Sequence, residues 1–178
     1  MKIKKIETLF KKYYNIEEIT IEHDGKTFTR ERMNKDSAVA AVVHNIQTDK
    51  YIFVEQWRPA NLDNLIEIVA GTIKEGEDPE ECMIREIEEE TGYYVDTINK
   101  IFGPVYMLPG SCNEQMTIFY CEVSDKIDNG GGLEDENEYI TVHEIDTHDV
   151  VSKYYSGYFK DAKTVLGLSK IVMDEINN

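Results

Sequence analysis

Residues 71 to 93 read GTIKEGEDPEECMIREIEEETGY, and this stretch restricts the fold more tightly than any other. Gly71 closes an apolar run, LIEIVAG (Leu65–Gly71), that reads as a strand. Asp78 followed by Pro79 reads as an N-cap and a first helical residue. Thr91-Gly92 reads as the stop, with Gly92 in a left-handed conformation. Between Lys74 and Glu90 stand nine carboxylates and two cations, Lys74 and Arg85. Like charges at helical spacing repel by a few tenths of a kcal/mol per pair, so either the face is solvated or a cation offsets the repulsion. On a wheel of about 100° per residue, Glu90 falls about 40° and Glu89 about 60° from Glu86. All three border the apolar stripe of Met83, Ile87 and Ile84, whereas Glu81 and Glu88 point away. Carboxylates four residues apart, held near a core, make a site for a hard cation such as Mg²⁺ or Mn²⁺.

The rest of the chain reads as mixed α/β. EEITIEHDGKTFTRERM alternates about Asp24-Gly25, a hairpin with strands from Glu18 to His23 and Lys26 to Met33. SAVAAVVHN, from Ser37, is unbroken apolar sequence, as in a strand covered on both faces. Further strands are expected over Lys50–Gln56, Ile101–Tyr106, Met116–Val123 and Tyr139–Val142. DNGGGLEDENE (128–138) is expected to be a mobile loop whose glycines let it close. Two helices finish the chain, Asp146–Tyr155 and Asp161–Ile176. In the second, Ala162, Val165, Leu168 and Val172 recur at helical spacing and are expected to pack in the core.

At 178 residues the chain can bury one sizeable core with a small appendage. Its 35 acids against 19 bases give a formal net charge of −16. Such a surface repels nucleic acid and anionic membrane, so neither is an expected partner. A bound metal inverts the field locally, which leaves a small phosphorylated ligand open. Cys82, Cys112 and Cys121 form no CxxC pair and no zinc spacing, and an odd count suits a reducing compartment. The opening MKIKKIETLFKKYYN lacks the apolar core of roughly 7–15 residues that a signal peptide needs. The expected location is cytoplasmic.

Gly71, five residues, Glu77, seven residues, then Arg85-Glu86-Ile87-Glu88-Glu89-Glu90-Thr91-Gly92 and Tyr93 follow the Nudix box. Tyr93 stands where that family more often carries an aliphatic residue. The sequence therefore resembles the Nudix hydrolases. QWRPA (Gln56–Ala60), EIVAG (Glu67–Gly71) and GLEDENE (Gly132–Glu138) resemble the subgroup that cleaves nucleoside diphosphate sugars, the ADP-ribose pyrophosphatases. MTIFYCEVSD and GGGLEDENEYITVHEI resemble the UDP-sugar and GDP-mannose pyrophosphatases as well. Pro109 lies 16 residues beyond the box (109 − 93 = 16), where ADP-ribose hydrolases typically carry a proline.

The resemblance implies an α/β/α sandwich with a mixed sheet and a small N-terminal antiparallel β appendage. Residues 1–35 would be a dimerisation arm and 36–178 the hydrolase domain of a homodimer. It implies Mg²⁺- or Mn²⁺-dependent attack of water on the diphosphate of a nucleoside diphosphate sugar. ADP-ribose is placed first, with UDP-sugar or GDP-mannose as alternatives, and the products are a nucleoside monophosphate and a sugar phosphate. Glu86, Glu90, the carbonyl of Ala70 and Glu138 match metal ligands. Glu136 matches the catalytic base, with Glu89 next in line, and Arg85 pairs with Glu77 to orient the helix. Arg58 matches an arginine on the substrate's phosphates, and Glu67 is placed to hold a ribose hydroxyl. Arg32, with Arg30, would reach a partner's site, and Trp57 or Tyr106 would stack on a base. A non-catalytic nucleotide-sugar sensor is the reading from another class, but sensors usually lose box carboxylates and Glu86, Glu89 and Glu90 all stand.

Overall fold

The computed structural model describes residues 1–133 and 138–177. The chain runs β1 (Lys2–Lys11), β2 (Asn15–His23), β3 (Lys26–Asn34), β4 (Ala38–Asn45), β5 (Lys50–Arg58), β6 (Asp63–Glu67) and β7 (Val69–Thr72). It continues through α1 (Pro79–Thr91), β8 (Tyr93–Tyr106), β9 (Gln115–Lys126), β10 (Ile140–Asp146), α2 (Thr147–Tyr155) and α3 (Ala162–Asn177). Among the described residues, β1 to β3 form one antiparallel sheet and the other seven strands form a mixed one.

The apolar run from Ser37 becomes β4, the middle strand. It runs parallel to β9 throughout, antiparallel to β7 over Ala38–Ala41 and antiparallel to β5 over Val43–Asn45. Alternation sends Val39, Ala41 and Val43 to the face covered by Met83 and Ile87 of α1. Ala38, Ala40 and Val42 go to the other face, with Val150 of α2 and Leu168 of α3. Gly167 brings α3 close, since a Cβ there would stand 3.0 Å from Val42 and 3.1 Å from Ile68. Helices on both faces of a mixed sheet are the sandwich expected. No helix among the described residues is long and apolar enough to cross a membrane.

The structure departs from the expected elements where pairing or packing breaks the sequence period. Leu65–Gly71 is two strands: β6 pairs with β5 and β7 with β4. Between them the Ile68 N–H leaves the ladder and donates to Thr164 Oγ1 on α3 at 2.9 Å. β8 begins at Tyr93 rather than near Ile101, and four register shifts against β9 obscure its alternation. The hairpin turns at Asp24 and Gly25, whose φ values of 50° and 77° suit a two-residue turn. It gains a third strand, β1, whose register shifts after Ile3 and Thr8 spoil the two-residue period. In α3, Leu168 and Val172 are buried as expected, but Ala162 and Val165 are exposed. The inward face runs instead through Lys163, Thr164 and Gly167.

Candidate active site

Capping fixes α1 at both ends. Asp78 Oδ1 accepts the Glu80 N–H at 2.8 Å, and Pro79 opens the helix. Gly92, at φ 71°, closes it by donating to the Glu88 carbonyl at 2.9 Å. Cys82, Met83 and Ile87 anchor one face in the core. That anchoring carries Glu86 and Glu90 inward, to 9% and 4% exposure. Four glutamates occupy the last two turns with no basic residue in the last one, although carboxylates oppose the negative end of a helix dipole.

Glu86 and Glu90 lie against the Ala70–Gly71 backbone of β7. A Cβ on Gly71 would stand 1.9 Å from Glu86 Cδ, so only glycine leaves room for that carboxylate. Burial pushes Glu86 above the usual carboxylate range; Arg85 opposes the shift, while Glu89 and Glu138 add to it. Burial drives Glu90 much further, helped by Glu86 and Glu138 and opposed by the Ala70 N–H. Its Oε2 is buried with no hydrogen-bond partner. Glu86, Glu90 and Glu138 thus share one electrostatic site, bordered by the Ala70 backbone.

Arg85 is the hub beneath it. Its Nε and Nη2 donate to the two oxygens of Glu77 at 2.8 and 3.2 Å. Its Nη1 meets Glu86 Oε1 at 2.8 Å and Glu89 Oε2 at 3.0 Å. Hydrogen bonds from Arg85, then from the Lys74 N–H, hold the Glu77 carboxyl down at about 2.

The glycine run after β9 is docked rather than free. Gly131 N–H donates to the Glu90 carbonyl at 2.9 Å and Gly132 N–H to that of Glu89 at 3.2 Å. A Cβ on Gly130 would meet Thr91 C at 2.5 Å. Gly130, Gly131 and Gly132 thus pack on the C-terminal end of α1, and Glu138 acts electrostatically on Glu86 and Glu90. Glu136, expected as the base, lies outside the described residues.

A cationic group borders the cluster. Arg58 donates to both oxygens of Glu67 at 2.7 and 2.6 Å, and Lys163 joins the same carboxylate. Arg58 and Lys163 both act electrostatically on Glu90. The sequence reading missed Lys163, although Asp161-Ala162-Lys163-Thr164 puts a capping acid and two polar side chains at the helix start. Glu67, expected to hold a ribose hydroxyl, is 1% exposed and engaged by two cations instead.

The remaining expected residues lie elsewhere on the fold. Arg32 donates from Nε to Glu17 Oε2 at 2.9 Å, within the N-terminal sheet. Arg30 donates to the Thr29 carbonyl and covers the Phe28 ring. Pro109 is exposed in the loop between β8 and β9. Trp57 and Tyr106 are both more than half exposed.

Comparison with known proteins agrees with this geometry. The family described as NUDIX domain matches residues 34–159. A GDP-mannose pyrophosphatase of Cronobacter sakazakii is 32% identical over 176 residues, covering 92% of this chain and 90% of that protein. One of Shigella flexneri serotype 5b is 31% identical over 177 residues, with 92% and 91% covered. A crystal structure of an ADP compounds hydrolase matches with a TM-score of 0.78 at 20% identity. It covers 98% of this chain and 92% of that one, a likeness of fold. An acid-lined helix packed against a glycine of β7, inside a sequence that matches the family through most of its length, makes this chain a member of the Nudix hydrolases.

Proposed function

We propose that the protein is a divalent-metal-dependent pyrophosphohydrolase of nucleoside diphosphate sugars. Water attacks one phosphorus of the diphosphate, the bridging P–O bond breaks, and a nucleoside monophosphate and a sugar phosphate leave. The observation that carries this reading is the buried, unpartnered Oε2 of Glu90 beside Glu86. An unpaired buried carboxylate is costly, and a hard cation suits carboxylates placed beside a carbonyl. Among the described residues no three acidic, histidine or cysteine side chains close into a cage. A cation among Glu86, Glu90 and Glu138 would complete its shell with waters and substrate phosphates. Held by Glu86, Glu90, Glu138 and the Ala70 carbonyl, Mg²⁺ or Mn²⁺ would offset phosphate charge and acidify water.

The chain's own groups supply the rest. Arg85 aligns Glu86 and Glu89, Arg58 takes a phosphate, and Glu136 removes the proton from the attacking water, with Glu89 the alternative. Relatives named for GDP-mannose at 31–32% identity support that substrate ahead of ADP-ribose, reversing the order the sequence suggested. Pro109 favours ADP-ribose as the second reading. The working form is a cytoplasmic homodimer in which residues 1–35 pack on the partner and Arg32 approaches its site, while 36–178 carry the catalytic domain.

GDP-mannose, ADP-ribose and UDP-glucose, each with Mg²⁺ and read by phosphatase-coupled phosphate release, test the reading. Hydrolysis of at least one to a monophosphate and a sugar phosphate is expected, abolished by excess EDTA; inertness toward all three overturns it. Glu136→Gln is expected to lower kcat by about 10²–10⁴, the usual worth of a general base, with KM little changed. A near-normal kcat moves the base to Glu89.

A further inference from the structure

Glu67 closes β6 one residue before the break in the strand, and three groups converge there. Arg58 Nε and Nη2 donate to its two oxygens, and Lys163 Nζ donates to Oε2. Lys163 is held in turn by Asp161 Oδ2 at 3.0 Å. That oxygen also accepts the Thr164 N–H at 3.0 Å and hydroxyl at 2.8 Å, and Thr164 Oγ1 accepts the Ile68 N–H. Two neighbours on α3, Lys163 and Thr164, therefore grip two neighbours on the sheet, Glu67 and Ile68. The strand then continues through Val69 to Ala70, whose backbone borders Glu90.

Burial alone would push the Glu67 carboxyl up, yet Arg58 and Lys163 hold it below the usual range, ionised. It leaves no solvent-facing oxygen for a ribose hydroxyl. Arg58 is different, because its side chain is 38% exposed. A guanidinium carries five N–H donors in a fixed fork. Glu67 takes one from Nε and one from Nη2, so both N–H groups of Nη1 and the second of Nη2 stay unspent on Glu67. A planar fork held on one edge presents the other as a preformed two-point donor for phosphate oxygens.

We propose that Glu67 is a positioning residue that acts through Arg58: anchored to α3 by Lys163, it holds the guanidinium so that its outer edge faces a diphosphate at the acid cluster. This rests on the reading of the cluster as a diphosphate site. The role is distinct from filling space, since it is transmitted through one named side chain.

The test is a double-mutant cycle of Glu67→Gln and Arg58→Ala, read by calorimetric binding of methylenediphosphonate with Mg²⁺. This probe needs neither turnover nor a known sugar. Each single variant is expected to weaken binding by about 10–100-fold, the usual cost of losing an outer partner of a binding group. The double variant is expected to match Arg58→Ala within about twofold, the scatter of independent sites. Wild-type binding that is absent, Glu67→Gln binding like wild type, or costs that simply add, each overturns the proposal. If Glu67→Gln does not fold, Glu67→Asp, which keeps the anion but withdraws it, takes its place in the same cycle with the same outcomes. The substrate panel is scored separately. An inert panel with a coupled cycle removes the proposed reaction and leaves Glu67 positioning a diphosphate ligand.

Discussion

At Gly71 a single added methyl group would occupy the position of the Glu86 carboxyl. The clash falls on the far end of a flexible side chain, which can swing aside without disturbing β7. Gly71→Ala is therefore expected to fold with a melting temperature near wild type and to lose the upward shift that Mg²⁺ gives a native-state binder. A full Mg²⁺ shift in that variant would contradict the cradle. Glu90 makes the complementary case. Its buried, unpartnered oxygen weakens the metal-free protein, so Glu90→Gln is expected to melt higher in EDTA while losing orders of magnitude in kcat. Glu88→Gln, two residues away and partly exposed, is expected to do neither. At this scale the box acids were legible because a helix converts spacing into direction. The pairing of Glu67 with Lys163 was not, because 96 residues separate them and only the packing of α3 makes them partners.

The start of α1 is held by Arg85 clasping Glu77. The folded Glu77 carboxyl sits at about 2 against an ordinary 4.5, through Arg85 first and then the Lys74 N–H. A depressed carboxylate stabilises the fold fully above its unfolded value, and the contribution fades as pH falls toward the folded one. The melting temperatures of wild type and Glu77→Gln are therefore expected to differ by a constant amount down to about pH 5 and to converge between about pH 4.5 and 2. An undiminished gap at pH 2.5 would show that the clasp is not electrostatic. Both ends of α1 could be read from sequence, since Asp78, Pro79 and Gly92 act locally. β1 and β8 could not be bounded, because register shifts break the two-residue alternation that identifies a strand. The division of β6 from β7 was hidden for another reason: the hydroxyl that captures the Ile68 N–H belongs to a distant helix.

On the scale of the molecule, the N-terminal sheet leaves apolar surface uncovered. Ile3, Ile6, Leu9 and Phe10 on β1 are all exposed, and a small sheet gains little stability without a covered face. Light scattering at micromolar concentration is expected to give twice the chain mass, and Ile6→Asp with Phe10→Asp to give the single mass; a monomeric wild type refutes the proposed dimer. The mixed sandwich was legible from an apolar run covered on both faces, whereas a partner surface leaves no period in a sequence. The parallel pairing of β4 with β9 governs how the fold is reached. Ala38 meets Met116, 78 positions later (116 − 38 = 78), and β7 and α1 lie wholly inside that span. Closing so long a loop costs entropy before any contact repays it, which slows folding. Metal binding should consequently appear during refolding with the slow completion of the sheet, later than the helicity of α1. A nascent chain halted before β9 already contains Ala70, Glu86 and Glu90, yet lacks the strand that closes the sheet around them.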